Sequence, residues 1–310
     1  METLPLSVVI CTYNRREMLR QVLGSLAAQS APDDSFEVLV VDNACTDGTG
    51  EMVAGWQAGP ANLRLVKEPS PGLSVARNAG WHAAKGRVVA FVDDDMHLDA
   101  DWVENLLRGF ASAPEDVACL AGKVRLGLRG ARPAWLSDDL AMCLSCIDWG
   151  PMAIPLAPDR HFAGCNFAVL RAVIERLGGF PEFLGRVGNK LLSNEEVMFA
   201  RGIRELGFEI WYDPAVAGTH HVPEDRLRQP WFIRRSFWQG VSEAVMHTRA
   251  FGLGWTERLR RTAKVALHLV SPPRKILWLA APTQGRDRFD LKCAAWGTLG
   301  YMAGMLGWAK

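Results

Sequence analysis

Asp93, Asp94 and Asp95 stand in a row directly after the apolar run Val88-Val-Ala-Phe-Val. That run, β-branched or aromatic apart from Ala90, reads as a strand buried on both faces, with the carboxylates at its C-terminal end. Three neighbouring anions repel one another, so the arrangement costs stability unless a cation or a hydrogen-bonding ligand meets it. In an extended segment Asp93 and Asp95 would project to one side and Asp94 to the other, and a divalent metal could be gripped by the outer pair. An acidic loop after a strand is the plain alternative.

Other polar residues sit at comparable junctions. Thr12-Tyr13-Asn14-Arg15 closes the apolar run that begins at Leu6, and Asp42-Asn43 closes the run that begins at Phe36. Ser193-Asn194-Glu195-Glu196 precedes a segment whose Met198, Phe199, Ile203 and Leu206 form one helical stripe. On the residues alone, Ser193 or Asn194 caps that helix and acids in its first turn complement its dipole, worth about 0.3–1 kcal/mol each. His220-His221 ends a short strand or extended loop starting at Ala215, where a His pair serves as surface or core filler.

The elements that must position these groups are legible in the hydrophobic pattern. A strand at Leu6–Thr12 precedes a helix with Leu19, Val22, Leu23 and Leu26 on one face; a strand at Phe36–Asp42 precedes a polar turn and a helix to about Trp56. A third strand spans Leu63–Val66, a helix carries Val75, Ala76, Ala79 and Ala83, and the Val88 strand follows. Four strand–helix alternations predict an α/β fold, a doubly wound, mostly parallel sheet with helices on both faces and right-handed crossovers. Ligands of such sheets bind outside the carboxyl ends of the strands, so the three polar strand ends should converge on one crevice. Neither G-x-G-x-x-G nor G-x-x-x-x-G-K-[ST] follows the first strand, which argues against dinucleotide and P-loop sites and leaves a nucleotide held by a Thr/Asn edge, a carboxylate and a metal.

At 310 residues, 49% hydrophobic and 22% charged, the chain is long enough for one large domain or a domain with an appendage. Seven cysteines without a signal peptide suggest free thiols in a reducing cytoplasm, and Cys143-x-x-Cys146 lacks a second pair at zinc spacing and reads as structural. The net charge of +1 hides an asymmetry: from Arg226 onward there are fifteen Lys/Arg and four Asp/Glu, a surplus of eleven, against minus ten for residues 1–225. Six of the twelve tryptophans also fall in that third, and basic residues with interspersed indoles suit an anionic membrane surface. The basic stretches alternate with apolar helix rather than base-stacking strands, which argues against nucleic acid.

The segments VVICTYNR (Val8–Arg15), VLVVDNACTDGT (Val38–Thr49), PGLSVARNAG (Pro71–Gly80) and VVAFVDDDMHLDADWV (Val88–Val103) together resemble the inverting family 2 glycosyltransferases of the GT-A fold. The similarity continues through HFAGCNFAVLR, SNEEVMFARGIRELGF and the His220-His221 pair to about residue 225, and is loose beyond it. It implies a catalytic domain over 1–225, with a nucleotide-binding half (1–125) and an acceptor half (126–225), followed by a helical, Trp- and Arg-rich segment over 226–310. It also implies that Thr12, Tyr13, Asn14 and Asp42 line the uridine end of a nucleotide-sugar beside Arg15 and Asn43, with Asp42 at the base and Arg77 on the base or ribose side. Asp93 and Asp95 would be the D-x-D pair flanking Asp94. Asp95 would bind Mn²⁺ or Mg²⁺ directly, with Asp93 on the ribose or a metal water; a diphosphate supplies most of the hard oxygen ligands itself. His220 would complete the metal or pyrophosphate site, and imidazole suits Mn²⁺ better than Mg²⁺.

By the same resemblance Glu196 is the general base and Glu195 its partner toward the acceptor. The family generally carries Glu-Asp here, so the choice between the two acids stays open. Gly164 and Asn166 would sit against the donor sugar. The implied reaction is one in-line displacement, with the acceptor hydroxyl deprotonated as it attacks the anomeric carbon and the diphosphate leaving against Asp95, the metal and His220.

Between Gly127 and Asp159 the sequence turns rich in Pro and Trp and loses its period, as a lid, an acceptor loop or a surface connection would; Gly185–Lys190 reads as a second loop ahead of the base. Lys264–Ala281 and Cys293–Ala309 are apolar segments split at Ser271–Lys275 and Gln284–Arg288. They read as interfacial helices at the inner face of a membrane, or alternatively as a packed helical hairpin. A membrane setting would suit a lipid-linked or glycan acceptor in cell-envelope glycan synthesis. A sugar nucleotidyltransferase and a non-catalytic nucleotide-sugar-binding scaffold are the competing classes; the first calls for a Gly-rich, basic loop where this chain has Cys11-Thr-Tyr-Asn-Arg15.

Overall fold

The computed structural model describes residues 4–56, 60, 62–188, 190–270, 277–280 and 286–308. The breaks read at Ser271–Lys275 and Gln284–Gly285 lie outside them, as do Asn189, Ala281 and Ala309. The chain divides into two compact units: Met1–Gly127 with Ser145–Glu182 and Glu195–His221, and Leu128–Leu144 with Phe183–Asn194 and Val222–Lys310.

The first unit carries a nine-stranded sheet among the described residues. Its centre is the set of apolar runs read as strands: β1 (Leu6–Thr12), β2 (Phe36–Asn43), β3 (Leu63–Glu68) and β4 (Val88–Asp93). β1, β2 and β4 are buried along almost their whole length because neither face meets water. All three pairings are parallel, in the order β3-β2-β1-β4. Register places Thr12 opposite Asp42 and Cys11 opposite Asp93, so three polar strand ends finish at one level.

The connecting helices are α1 (Arg16–Ala27), α2 (Thr49–Ala54) and α3 (Leu73–Ala83). α3 lies so close to β1 that a Cβ on Gly80 would stand 2.3 Å from Val9 Cγ1. At the opposite end of the sheet the buried Glu37 accepts hydrogen bonds from Ser7 Oγ (2.7 Å), the Lys85 amide (2.7 Å) and Arg64 Nη1 (2.6 Å), joining the starts of β1 and β2 to the turn before β4.

Beyond β4 the sheet becomes mixed. β5 (Met96–Leu98), α4 (Trp102–Ser112), β6 (Val117–Gly127), α5 (Asp138–Met142), β7 (Ile154–Pro155), β8 (Asn166–Leu170), α6 (Arg171–Leu177), α7 (Glu195–Glu205) and β9 (Glu209–His221) follow. β8 lies antiparallel between β4 and β6, β9 runs parallel to β6, and β5 pairs antiparallel with β9. Phe91, Phe167, Phe180 and Phe199 pack ring on ring at the centre, beneath the polar strand ends.

The second unit contains α5, α8 (Gln229–Ala250), α9 (Trp255–Val270) and α10 (Arg286–Met305). α8 and α10 touch backbone to backbone. A Cβ on Gly240 would lie 1.9 Å from Gly297 O, and one on Gly300 1.8 Å from Phe237 O. This packing covers much of the apolar segment read at Cys293–Ala309, burying Cys293, Ala295 and Met305. The segment after Gly127 is not wholly irregular either: Ser137 Oγ accepts from the Leu140 amide (3.0 Å) to cap α5, and Trp135 stacks edge-on with Phe232 and Phe289. No helix of the described residues is long and apolar enough to cross a membrane. All seven cysteines are free thiols.

Candidate active site

The loops after β1 and β2 hold one another. Asn14 takes a left-handed φ of 52°, a conformation Asn tolerates better than most residues. Its amide donates to Cys45 Sγ (3.3 Å), and its Oδ1 accepts from the Thr46 amide (2.7 Å). Asp42 is half-buried and accepts from the Cys45 amide (2.9 Å). Asn43 clamps the β3–α3 connection, donating to Glu68 O (3.2 Å) and Ser70 O (2.7 Å) and accepting from the Gly72 amide (2.8 Å). Tyr13, 52% exposed, is left as the large ring displayed by this loop pair.

The acidic triplet does not stay extended. β4 ends at Asp93, a turn takes Asp94 and Asp95, and β5 begins at Met96. The alternation expected of a strand is therefore lost after Asp93: Asp94 and Asp95 both turn inward, each 4% exposed, while the Asp93 side chain stays 36% exposed on the far side. Arg15 Nη1 lies 2.9 Å from both Asp94 Oδ1 and Asp95 Oδ2, and Thr12 Oγ1 donates to Asp94 Oδ2 (2.7 Å). Burial and the neighbouring Asp95 push the Asp94 carboxyl up to about 6 despite the guanidinium beside it. Arg15 is thus the counter-ion of the triplet, a role its sequence position after Asn14 did not suggest.

His220 reaches the same corner. β5–β9 pairing sets Met96 opposite His220, the His221 amide donates to Asp95 O (2.9 Å), and His220 Nε2 stands 3.3 Å from Asp95 Oδ2. Both side chains are buried. One carboxylate and one imidazole on neighbouring segments fit a divalent ion that takes its remaining ligands from a diphosphate and water. Among the described residues no group of three or more His, Cys, Asp or Glu could hold a metal unaided, so this is not a self-sufficient cage.

Arg77 organises the other side of the crevice. At 3% exposed, it donates from Nη1 to Glu195 Oε1 (2.8 Å) and from Nη2 to Gly164 O (2.9 Å), with Asp93 Oδ1 at 3.7 Å. The fork ties the end of β4, the loop before β8 and the head of α7 to one guanidinium. It does not present an open face to a base. A Cβ on Gly164 would stand 3.0 Å from Arg77 Nη2, so the glycine admits the guanidinium.

Both glutamates bury their Oε2, and they differ in what else lies around them. Glu195 is 4% exposed and held by Arg77; its Oε2 is buried with no hydrogen-bond partner among the described residues. Glu196, one residue on, lines a cavity of about 410 Å³ with Pro158, His161, Phe162, Ala200 and Arg204. Asn166, expected at the donor sugar, is completely buried: its amide donates to Lys123 O (3.1 Å) and Val216 O (2.9 Å) and accepts from Trp102 Nε1 (2.9 Å), sewing β8 to β6 and β9. Its hydrogen-bonding capacity is taken up inside the sheet.

A parallel half whose strand ends carry an acidic corner, continued by a mixed half with an acid at a helix head, is the architecture of GT-A glycosyltransferases. The chain belongs to glycosyl transferase family 2, whose family model matches residues 7–134. It is 30% identical over 257 residues to the succinoglycan biosynthesis protein ExoM of Rhizobium meliloti, covering 81% of this chain and 78% of that protein. With the glucosyl-dolichyl phosphate glucuronosyltransferase of Haloferax volcanii it shares 28% identity over 247 residues, 77% of this chain and 76% of the relative. The solved structure of a Pyrobaculum calidifontis mannosyltransferase in complex with GDP-mannose and Mn²⁺ overlays 98% of this chain and 74% of its own at a TM-score of 0.58 and 22% identity. The chain is a glycosyltransferase.

Proposed function

We propose that the chain transfers a sugar, with inversion, from a nucleoside-diphosphate sugar of the UDP class to a hydroxyl of a lipid-linked or glycan acceptor at the cytoplasmic face of a membrane. The observation that carries this reading is the division of labour between Glu195 and Glu196. Arg77 fixes Glu195 at 2.8 Å, while Glu196 is among the residues lining a cavity of about 410 Å³, which we assign to the acceptor. Glu196 is the base, taking the proton of the acceptor hydroxyl as its oxygen attacks the anomeric carbon from the face opposite the nucleotide. Glu195 is its neighbour toward the acceptor, and the Arg77 fork sets where both sit.

Asp42 at the end of β2 receives the base, and Tyr13 offers its exposed ring to it. Asp93, the exposed member of the triplet, faces the ribose and donor sugar beside Gly164. Asp95 and His220 are the residues that would hold Mn²⁺ or Mg²⁺, which when bound neutralises charge on the departing diphosphate. Thr12 and Arg15 keep Asp94 and Asp95 oriented toward that point. The acceptor class is drawn from the Haloferax relative, whose name specifies a glucosyl-dolichyl phosphate substrate.

The test is incubation with a panel of nucleotide-sugars and Mn²⁺. One donor should release free nucleoside diphosphate slowly in water and faster with acceptor, giving the opposite anomer by NMR. Glu196→Gln should lower transfer by about 10²–10⁴-fold with donor binding retained. Release of pyrophosphate would make the chain a nucleotidyltransferase, and no release from any donor would make it a binding protein.

A further inference from the structure

α9 carries an apolar stripe that its own unit leaves exposed. Trp255, Leu259, Leu267 and Val270 are 59%, 53%, 65% and 46% exposed. With Ala263 between them they recur at spacings of four and three, which places all five on one face of the helix. The packed side of the helix borders the stripe at its Trp255 edge: Thr262 and Leu269 are buried, and Arg258 lies over the Trp255 ring and donates to Met305 O at the end of α10 (2.6 Å). Immediately beside the stripe stand the exposed Arg260 and Lys264. The single acid of α9, Glu257, is engaged by Arg260 and Arg261 at 2.7 Å each.

We propose that this face of α9 lies in the headgroup layer of an anionic lipid bilayer, with the stripe at the acyl boundary and Arg260 and Lys264 among the lipid phosphates. Charge selects this occupant over a second copy of the chain. The stripe is flanked by cations within a segment, Arg226–Lys310, that carries a surplus of eleven basic residues. Two such faces meeting would bring like charges together, whereas lipid phosphate complements them. An indole at the start of the stripe suits the headgroup level. The docking element is therefore α9 and not the Cys293–Met305 segment, whose small residues are committed to α8.

The proposal stands apart from the catalytic reading, because vesicle binding and donor hydrolysis are read separately. The full chain is sedimented with vesicles of phosphatidylcholine alone and of phosphatidylcholine mixed with phosphatidylglycerol, at low and high salt. The parent should follow the anionic vesicles and be released by salt. Leu259→Glu with Leu267→Glu should weaken partitioning by more than about tenfold. Arg260→Glu with Lys264→Glu should weaken it by at least about fivefold per position, and only for the anionic vesicles. Each variant is checked for an unchanged thermal transition and unchanged donor hydrolysis, and the milder Leu267→Ala serves if a glutamate variant fails to fold. A parent that stays in solution with both vesicle types, or stripe variants that bind like the parent, would overturn the proposal. So would a parent dimer that Leu267→Ala disperses, since the stripe would then be covered by a second copy.

Discussion

Arg77 shows how much one side chain decides in this crevice. A guanidinium offers planar, diverging donors, and here two of them serve a carboxylate and a carbonyl in a site almost closed to water. A lysine keeps the charge but cannot reproduce the fork. Arg77→Lys should therefore lower stability by roughly 1–3 kcal/mol in denaturant titration, less than the roughly 3–5 kcal/mol of removing a buried partner outright. It should also lower kcat while leaving the KM for donor nearly unchanged, because the head of α7 loosens and the nucleotide contacts do not. A rise in donor KM at constant kcat would instead make Arg77 a nucleotide contact. Family resemblance offered Arg77 as a base- or ribose-side contact and gave no sign of the partners it has in the fold. Its partners are Asp93, Gly164 and Glu195, and no local pattern reports that these meet. Asn166 is the mirror case: a polar residue in a family segment reads as a ligand, yet its amide is consumed by Lys123 O, Val216 O and Trp102.

Among the elements, the parallel strands were the most legible because long apolar runs ending in polar residues have few other readings. What the runs did not show was their anchoring at the far end, through Glu37. Burial alone would raise that carboxyl, but hydrogen bonds from Ser7, Arg64 and the Lys85 amide outweigh it and hold it below its ordinary 4.5. A depressed acid stabilises the fold above its unfolded pKa and loses that contribution as pH falls through the folded one. Melting temperature should accordingly drop as pH is lowered below about 4.5, and Glu37→Gln should start lower at neutral pH and flatten that acid limb.

The glycines of the helices give a second, opposed pair. In α1, a Cβ on Gly24 would meet nothing within 4 Å, so Gly24→Ala should stabilise by about 0.5–1 kcal/mol. In α10, a Cβ on Gly300 would meet Phe237 O at 1.8 Å, so Gly300→Ala should cost about 1–3 kcal/mol net of its better helix propensity. Thermal melts of the two variants should shift in opposite directions.

On the scale of the molecule, charge distribution pointed to an acidic body and a basic third, the α/β fold followed from the alternation of strands and helices, and the family from motif order. The grouping of Leu128–Leu144 and Phe183–Asn194 with the C-terminal helices was not legible, because it rests on contacts far apart in the chain, such as Ser137 with Asp290 and Asn194 with Gln239. The C-terminal hairpin hid for a related reason. Hydropathy sees an apolar segment, whereas what fixes α10 is the absence of side chains at Gly297, Gly300 and Gly304.

The guanidinium shared by Asp94 and Asp95 bears on what the proposed ion would mean for the fold. Because Arg15 already balances that corner at 2.9 Å from each acid, folding there need not wait for a divalent ion. On the proposed assignment of Asp95 and His220 to a divalent ion, chelation with EDTA should abolish donor hydrolysis yet shift the melting temperature by no more than about a degree; a fall of several degrees would mean the ion belongs to the scaffold. Scarcity of manganese or magnesium would then idle the enzyme without depleting it, and restoring the ion would return activity without new synthesis.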